Sequence, residues 1–178
     1  MRRASCVALA CAALIAGAAQ ATVYYARDEA LKLAFPDAER VETRDLFLTA
    51  EQRAAIEDRA KSKLDSDLLT IYIGHRGDQI LGYAIFDTHT VRTLPETFLV
   101  VLTPGGKVAS TYLMAFYEPT EYSPPPRWLA QFRDASLTDD LRVGRGIAAI
   151  TGSTLTSNAV TGGIRRALAT YEIALKKP

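Results

Sequence analysis

A short run of small and hydroxyl-bearing residues near the C-terminal end, Thr151–Ser157 (TGSTLTS), has residue types suited to holding a phosphate. Gly152 permits a tight turn and the close approach of a ligand, and Thr154 places a hydroxyl in that turn. Either Thr156 or Ser157 can cap the helix predicted from about Ser157 to Lys176. Unpaired N–H groups and a partial positive charge at a helix N-terminus favour a phosphate on or beside Thr154. Because such turns before helices are common, spacing alone favours an ordinary loop with a helix cap.

The two histidines of the chain make a weak case for a metal site. His75 lies beside a predicted turn, and neither histidine has an acidic cluster next to it in sequence. His89 lies at a strand end near Arg92 and Glu96, where contact with a ligand or a partner is one interpretation. A surface or core histidine is the favoured interpretation. No metal site is therefore predicted.

Segment 144–149 (GRGIAA) matches the spacing G-x-G-x-x-A of dinucleotide-binding turns. It lacks a clear preceding strand and a βαβ unit, so a dinucleotide fold is not expected. Arg142 and Arg145 are nevertheless close enough in sequence to approach a phosphate. The chain contains neither a G-x-S-x-G elbow nor a Walker loop, and no catalytic side chain is assigned.

The elements that position these residues predict one α+β domain over residues 22–178, with an antiparallel meander packed against flanking helices. Alternating or continuous apolar runs separated by turn residues predict strands at Arg40–Leu48, Leu68–Gly74, Ile80–Thr88, Thr97–Leu102 and Val108–Tyr117. Helical spacing predicts helices at Tyr24–Phe35, from Thr49 to about Leu64, at Trp128–Phe132, and in the C-terminal segment. Tight turns at 76–78 and 104–106, with no crossover helix between the strands, favour antiparallel pairing.

Residues 1–21 predict a secretory signal peptide that is cleaved after Ala21. Arg2 and Arg3 precede an apolar run, and Ala19 and Ala21 occupy the small-residue positions of the cleavage site. An uncleaved anchor is disfavoured because the run is short for a membrane span and rich in alanine. Cleavage removes both cysteines of the chain, which excludes thiolate catalysis, iron–sulfur clusters and covalent c-type haem. The expected location is the periplasm.

Charge and composition narrow the possible partners. The chain has 178 residues, 48% of them hydrophobic, with 21 basic and 20 acidic side chains. Loss of two arginines with the signal peptide changes the formal net charge from +1 to −1. Because broad nucleic-acid binding needs an excess of clustered Lys and Arg, no nucleic-acid partner is expected.

Segment 151–157 resembles the (S/T)-G-A-T-L-T-S motif of the FMN-binding domain. That domain occurs in the flavin-bearing subunits of the sodium-translocating NADH:quinone reductase and Rnf complexes, and in stand-alone exported flavoproteins. In the family, FMN is joined through its phosphate to the threonine of the G-A-T triplet, which corresponds to Thr154. The chain has Ser153 where the family has Ala, and Ala148 where the family has Asp. Weaker similarity extends from about Gly82 to the C-terminus.

The resemblance implies an exported FMN-binding electron-transfer protein, acting as a redox carrier or a subunit of a complex rather than a self-sufficient enzyme. It also implies maturation by a separate Mg-dependent flavin transferase that uses FAD, and a membrane or periplasmic redox partner at the inner membrane. The expected cofactor-binding residues are Thr151, Gly152, Ser153, Thr154, Leu155, Thr156, Glu118, Tyr122 and Trp128. Tyr117, Tyr122 and Trp128 either form an aromatic wall for the flavin ring or seal the core.

Two alternatives remain at this stage. The absence of an Asp at Ala148 motivates a non-redox periplasmic binding or assembly module that holds flavin noncovalently or not at all. A flavin-dependent reductase of a small exported substrate is the other alternative, although the sequence offers no separate acid or base for it.

Overall fold

The computed structural model describes residues 22–176, so the predicted signal peptide and the last two residues lie outside it. The fold is α+β, as predicted. The strands are β1 Thr22–Val23, β2 Arg40–Phe47, β3 Leu68–Arg76, β4 Gln79–Thr90, β5 Pro95–Leu102 and β6 Val108–Phe116. The α-helices are α1 Arg27–Ala34, α2 Ala50–Ala60, α3 Pro126–Leu129 and α4 Thr154–Thr170.

All six strands form one antiparallel sheet in the order β1-β6-β5-β4-β3-β2. Strands β2 to β6 are therefore the predicted meander, and the two-residue strand β1 pairs with the outer edge of β6. Gly77 and Gly106 have φ angles of +54° and +77° in the tight turns between strands, a conformation that glycine adopts most readily. The sequence predictions of the strands are confirmed to within a few residues.

Helices cover the two faces of the sheet unequally. Helices α2 and α4 pack on one face, where alternate strand residues such as Ile73 and Val100 meet Ile56 of α2 and Ile164 of α4. The shorter helix α1 covers part of the other face, against a smaller cluster around Phe35. Consequently α4 crosses the middle of the meander and carries its own side chains into the larger core.

Helix α2 follows its predicted cap. The Gln52 N–H donates to Thr49 Oγ1 at 3.2 Å, and the Thr49 N–H donates to Gln52 Oε1 at 3.0 Å. Both bonds satisfy N–H groups that have no partner inside the helix, which explains why this four-residue pattern predicts the start correctly. The helix ends at Ala60, where Lys61 adopts a left-handed conformation with φ of 53°.

The start of α4 differs from the prediction. The helix begins at Thr154, with Ser153 as its N-cap, rather than at Ser157. Ser157 does not cap the helix, because its hydroxyl donates back to the Ser153 carbonyl and accepts the Ile150 N–H, both at 3.0 Å. Thr156 is buried and does not cap it either. The last turn, Tyr171–Leu175, is π-helical, and Tyr171 donates its hydroxyl to the Pro104 carbonyl at 2.6 Å.

Between β6 and α4 the chain is mostly irregular. Two 3-10 turns, Thr120–Tyr122 and Ala130–Phe132, flank α3. The predicted short helix at Trp128–Phe132 is thus divided between α3 and the second turn. Within residues 22–176, no helix is long and apolar enough to cross a bilayer.

Candidate functional site

Thr154 is the first residue of α4, and its side chain is exposed. Gly152, with φ of +79°, turns the chain just before it. The first hydrogen bond of the helix is donated by the Ser157 N–H to the Ser153 carbonyl. The N–H groups of residues 154–156 precede that bond and give this end of α4 its partial positive charge. The threonine hydroxyl therefore lies at a solvent-accessible position that suits a phosphate.

A narrow cleft separates this end of α4 from the loop between β4 and β5. Its lining includes five predicted site residues, Glu118, Tyr122, Ser153, Leu155 and Thr156, together with Arg92. Val91 completes it. The enclosed volume is ≈ 10 Å³, which is about the space of a single water. The structure thus brings together residues that are separated by more than thirty positions in sequence, but it leaves little room between them.

Glu118 holds the β4–β5 loop in place. One carboxylate oxygen, Oε1, accepts the backbone N–H groups of Arg92, Thr93 and Leu94 at 3.2, 3.0 and 3.0 Å. The side chain is buried, and these hydrogen bonds, led by that of Thr93, lower the pKa of the Glu118 carboxyl. Glu118 is therefore ionised, and its carboxylate fixes the loop that forms one wall of the cleft.

Arg92 and Tyr122 cover the cleft from outside. The Arg92 guanidinium carbon lies 4.7 Å from the centre of the Tyr122 ring, in cation–π contact. Next to Thr154, the side chain of Leu155 is 50% exposed and offers an apolar surface. Inside the cleft, the buried Ser153 Oγ has no hydrogen-bond partner in the described part of the chain. This combination of exposed apolar, cationic and unpaired polar groups suits an amphipathic anion.

The other aromatic candidates lie elsewhere. Trp128 is buried against Phe132, and its indole N–H donates to the Ala148 carbonyl at 2.6 Å. Tyr117 lines a depression on the α1 face of the sheet and not the cleft. Trp128 therefore packs in the core, which is one of the two roles considered for these aromatic residues. Ala148 itself is exposed, and its backbone is fixed by Trp128 and Gln131.

A largely buried ionic cluster that the sequence did not indicate joins β4, β5 and α4. His89 donates from Nε2 to Glu96 Oε1 and from Nδ1 to Asp87 Oδ1, both at 2.6 Å. Arg166 of α4 binds the Asp87 carboxylate through Nη2 and Nε, at 2.6 and 3.0 Å, and donates to Ser62. The signal was present in part, because Asp87 and His89 are two residues apart on one strand and so share a face.

The electrostatics of this cluster follow from its burial. Desolvation opposes the charged imidazole, but hydrogen bonds from it to Asp87 and Glu96 raise the pKa of His89 to about 9. Burial raises the pKa of Glu96, and hydrogen bonding to His89 and Arg166 outweighs burial to lower the pKa of Asp87. His89 is thus a core histidine, as the favoured interpretation expected. His75 is also buried, with Nε2 3.0 Å from Glu42 Oε2. Among residues 22–176, no group of three metal-ligating side chains is found.

The segment that matches G-x-G-x-x-A forms an irregular loop. Its ordered feature is a single parallel bridge between Val143 and Ile147, and no helix begins at Gly146 or Ile147. Because a dinucleotide site of this kind requires a strand, a turn and a helix in succession, the loop does not form one.

Comparison with known proteins yields a likeness of fold. No protein-family model and no curated protein sequence matches the chain. Among solved structures, the chain is similar to the crystal structure of Shewanella oneidensis NqrC, with a TM-score of 0.55 and 14% sequence identity. The match covers 80% of this chain and 84% of that chain. The two proteins therefore share a fold, at a distance in sequence at which likeness alone does not transfer a function.

Proposed function

We propose that the protein is an exported FMN-binding electron-transfer protein in which FMN is esterified through its phosphate to Thr154. The observation that carries the proposal is the exposed hydroxyl of Thr154 at the first residue of α4. The resemblance of segment 151–157 to the FMN-attachment motif and the fold shared with NqrC both support it.

The attachment point fits the group. The free N–H groups at the start of α4 suit a phosphodiester on Thr154, and Leu155 gives the ring an apolar surface. The cleft does not admit the ring as it stands, because its volume of ≈ 10 Å³ is far below that of a cofactor site. A bound ring would have to pack over the exposed Leu155 side chain or displace Arg92 from Tyr122. The bound flavin supplies the electron-accepting centre, and this chain's residues hold and orient it.

The chemistry of attachment balances with FAD as the donor. The Thr154 hydroxyl attacks the phosphorus on the flavin side of the pyrophosphate, the bond to AMP breaks, and the hydroxyl proton leaves with AMP. A separate Mg-dependent transferase is proposed for this step, in the periplasm and next to the inner membrane. A membrane or periplasmic redox protein is proposed as the electron-exchange partner.

Co-expression with a flavin transferase tests the proposal. We expect a fluorescent band on a denaturing gel and an intact mass increased by FMN minus water. Thr154→Ala abolishes both signals, whereas Thr154→Ser, which keeps a hydroxyl, retains them in part. Thr138→Ala is the matched control, since Thr138 is exposed and lies outside the cleft. A dark wild-type band with unmodified mass overturns covalent attachment.

The second candidate is a binding or assembly module without covalent flavin, favoured by Ala148 at the position where the family motif has Asp. In that case flavin fluorescence is released from the native protein on denaturation, or none is bound at all. Equilibrium dialysis of the unmodified protein against FMN separates these two outcomes.

A further inference from the structure

A second polar groove lies on the flank of α4, away from the cleft. It has a volume of ≈ 320 Å³ and lies between the end of α2, the segment at Arg142, and the middle of α4. The charged residues of its lining are all basic, Lys61, Arg142 and Arg165. Ser62 and Asn158 add polar groups. Among the described residues, no acidic side chain lines this groove.

Arg165 is the fixed cation of the groove. Its side chain is buried, and its guanidinium donates to the carbonyls of Arg59, Ala60, Thr138 and Leu141 at 2.7–3.2 Å. Those four bonds use four of the five N–H groups of a guanidinium, and none of them ends on a carboxylate. Burial and then the charge of Arg142 lower the pKa of Arg165, while Asp139 opposes that effect. The buried charge is thus neutralised only in part.

Arg142 is the second cation of the groove. Its backbone is held by the loop, because its carbonyl accepts the N–H groups of Arg145 and Ile147, both at 3.1 Å. Its half-buried side chain makes no hydrogen bond or ion pair with residues 22–176. Lys61 differs, since it is paired with Asp58 at 2.7 Å. Two guanidinium groups of like charge therefore line one groove, and none of residues 22–176 places an acidic side chain in that lining.

We propose that this groove binds a small ligand bearing a phosphate, held between Arg142 and Arg165 with Asn158 as a hydrogen-bond donor. The Arg142 guanidinium can bind phosphate oxygens in a planar, two-point geometry, and the one remaining N–H of Arg165 can add a single contact. An anion here also relieves the repulsion between the two cations. The groove is separate from the cleft, whose lining includes neither arginine. This proposal does not depend on the flavin proposal.

The test is a titration of the ¹⁵N-labelled protein with inorganic phosphate and with glycerol phosphate, at constant ionic strength. We expect saturable shifts of the Asn158 side-chain amide and the Arg142 Nε–H resonance with phosphate, and none with chloride. Tighter binding of glycerol phosphate identifies a phosphomonoester as the ligand class, and equal binding identifies free phosphate. Shifts that are linear and equal in chloride overturn the proposal.

Variants separate the site from general charge effects. Arg142→Gln weakens phosphate binding about tenfold, the loss expected for one charge-assisted contact. Arg145→Gln leaves it unchanged, because Arg145 is exposed in the same loop but outside the groove. Equal weakening in both variants contradicts a defined site. Binding that persists in Thr154→Ala keeps the result independent of flavin attachment, and thermal melts confirm that each variant is folded.

Discussion

The Nε2 atom of His89 lies 2.6 Å from Oε1 of Glu96, the residue directly opposite it on the neighbouring strand. Glu96 is fully buried, so the imidazole neutralises a carboxylate that water does not reach. Arg166 and Asp87 complete the arrangement on the side of α4. The cluster joins β4, β5 and α4 by charge as well as by apolar packing.

This cluster predicts a loss of stability at alkaline pH. Because the folded-state pKa of His89 is raised from 6.5 to about 9, its contribution is complete below pH 6.5 and disappears as the pH rises through 9. The raised pKa of Glu96 also lowers stability with rising pH, but from 4.5 up to its own raised value, whereas the lowered pKa of Asp87 gives stability above 3.8 that is lost as the pH falls through the lowered value. We expect His89→Gln to lower the free energy of unfolding by about 2 kcal/mol near pH 6. Urea titrations near pH 6 and pH 10 measure the difference from wild type, which should shrink at the higher pH.

The close packing of α4 on β4 predicts that alanine is destabilising at one of two adjacent glycines and close to neutral at the other. A Cβ at Gly163 would lie 2.6 Å from Asp87 Oδ1, which Arg166 and His89 hold in place. Gly163→Ala should therefore lower the free energy of unfolding by about 1–3 kcal/mol, despite the higher helix propensity of alanine. At Gly162 the nearest atom is the Ser62 hydroxyl at 3.1 Å, so Gly162→Ala should be close to neutral. Equal stability of the two variants in urea would show that the Asp87 side chain shifts to accommodate the added methyl group at position 163.

The unpaired hydroxyl of Ser153 predicts a stabilising substitution. The buried Ser153 hydroxyl has no partner among the described residues, and removing such a group recovers its desolvation cost. Ser153→Ala should therefore raise the free energy of unfolding by about 1 kcal/mol. Ser157→Ala is the matched comparison and should lower it by a similar amount, because the Ser157 hydroxyl makes two backbone hydrogen bonds. Urea midpoints at unchanged slope test both. A loss of stability in Ser153→Ala would mean that its hydroxyl has a partner.

Glu118 predicts the mobility of the cleft wall. Glu118→Gln keeps an acceptor but removes its charge, so the amides of Arg92, Thr93 and Leu94 should exchange with deuterium about tenfold faster. Because the pKa of Glu118 is lowered, its stabilisation is present above pH 4.5 and is lost as the pH falls through the lowered value. Hydrogen exchange measured by NMR reports the three amides directly. Unchanged exchange rates in Glu118→Gln would show that contacts other than those of Glu118 hold the β4–β5 loop in place.

Position 148 predicts a gain of flavin attachment. Ala148 is exposed, so an aspartate there would be accessible to a transferase without disturbing the backbone bond to Trp128. With a transferase in limiting amount, Ala148→Asp should raise the covalently modified fraction severalfold, as measured by intact mass. Ala149→Asp, at the next exposed position, is the control and should leave the modified fraction unchanged.

Local sequence patterns predict most of this fold, because many of its turns and helix caps depend on residues that are close in sequence. The Thr49–Gln52 cap and the Gly77 turn are decided by neighbours within four positions, and both are confirmed. Arg166 and Asp87 are 79 positions apart, so no local pattern indicates their bidentate contact. The start of α4 was missed because Ser157 uses its hydroxyl on preceding backbone rather than as a cap.

The candidate site divides in the same way. The segment itself indicates a Thr154 hydroxyl in a turn before a helix, and in the structure Thr154 is the exposed first residue of α4. The place of Trp128 does not follow from sequence, because its partner, the Ala148 carbonyl, comes from a distant loop. An aromatic residue in a proline-rich segment can line a ligand site or pack in the hydrophobic core. The tertiary structure is needed to distinguish these two roles.

Helix α4 is fastened at both ends, by Ser157 to the preceding loop and by Tyr171 to the turn at Pro104. The hydroxyl of Thr154 therefore lies on a helix that is anchored in the folded domain and not on a flexible terminal segment. A modifying enzyme would have to recognise a completed domain rather than a linear peptide. Under the proposed attachment of FMN to Thr154, folding would precede modification, and an unfolded chain would not be modified.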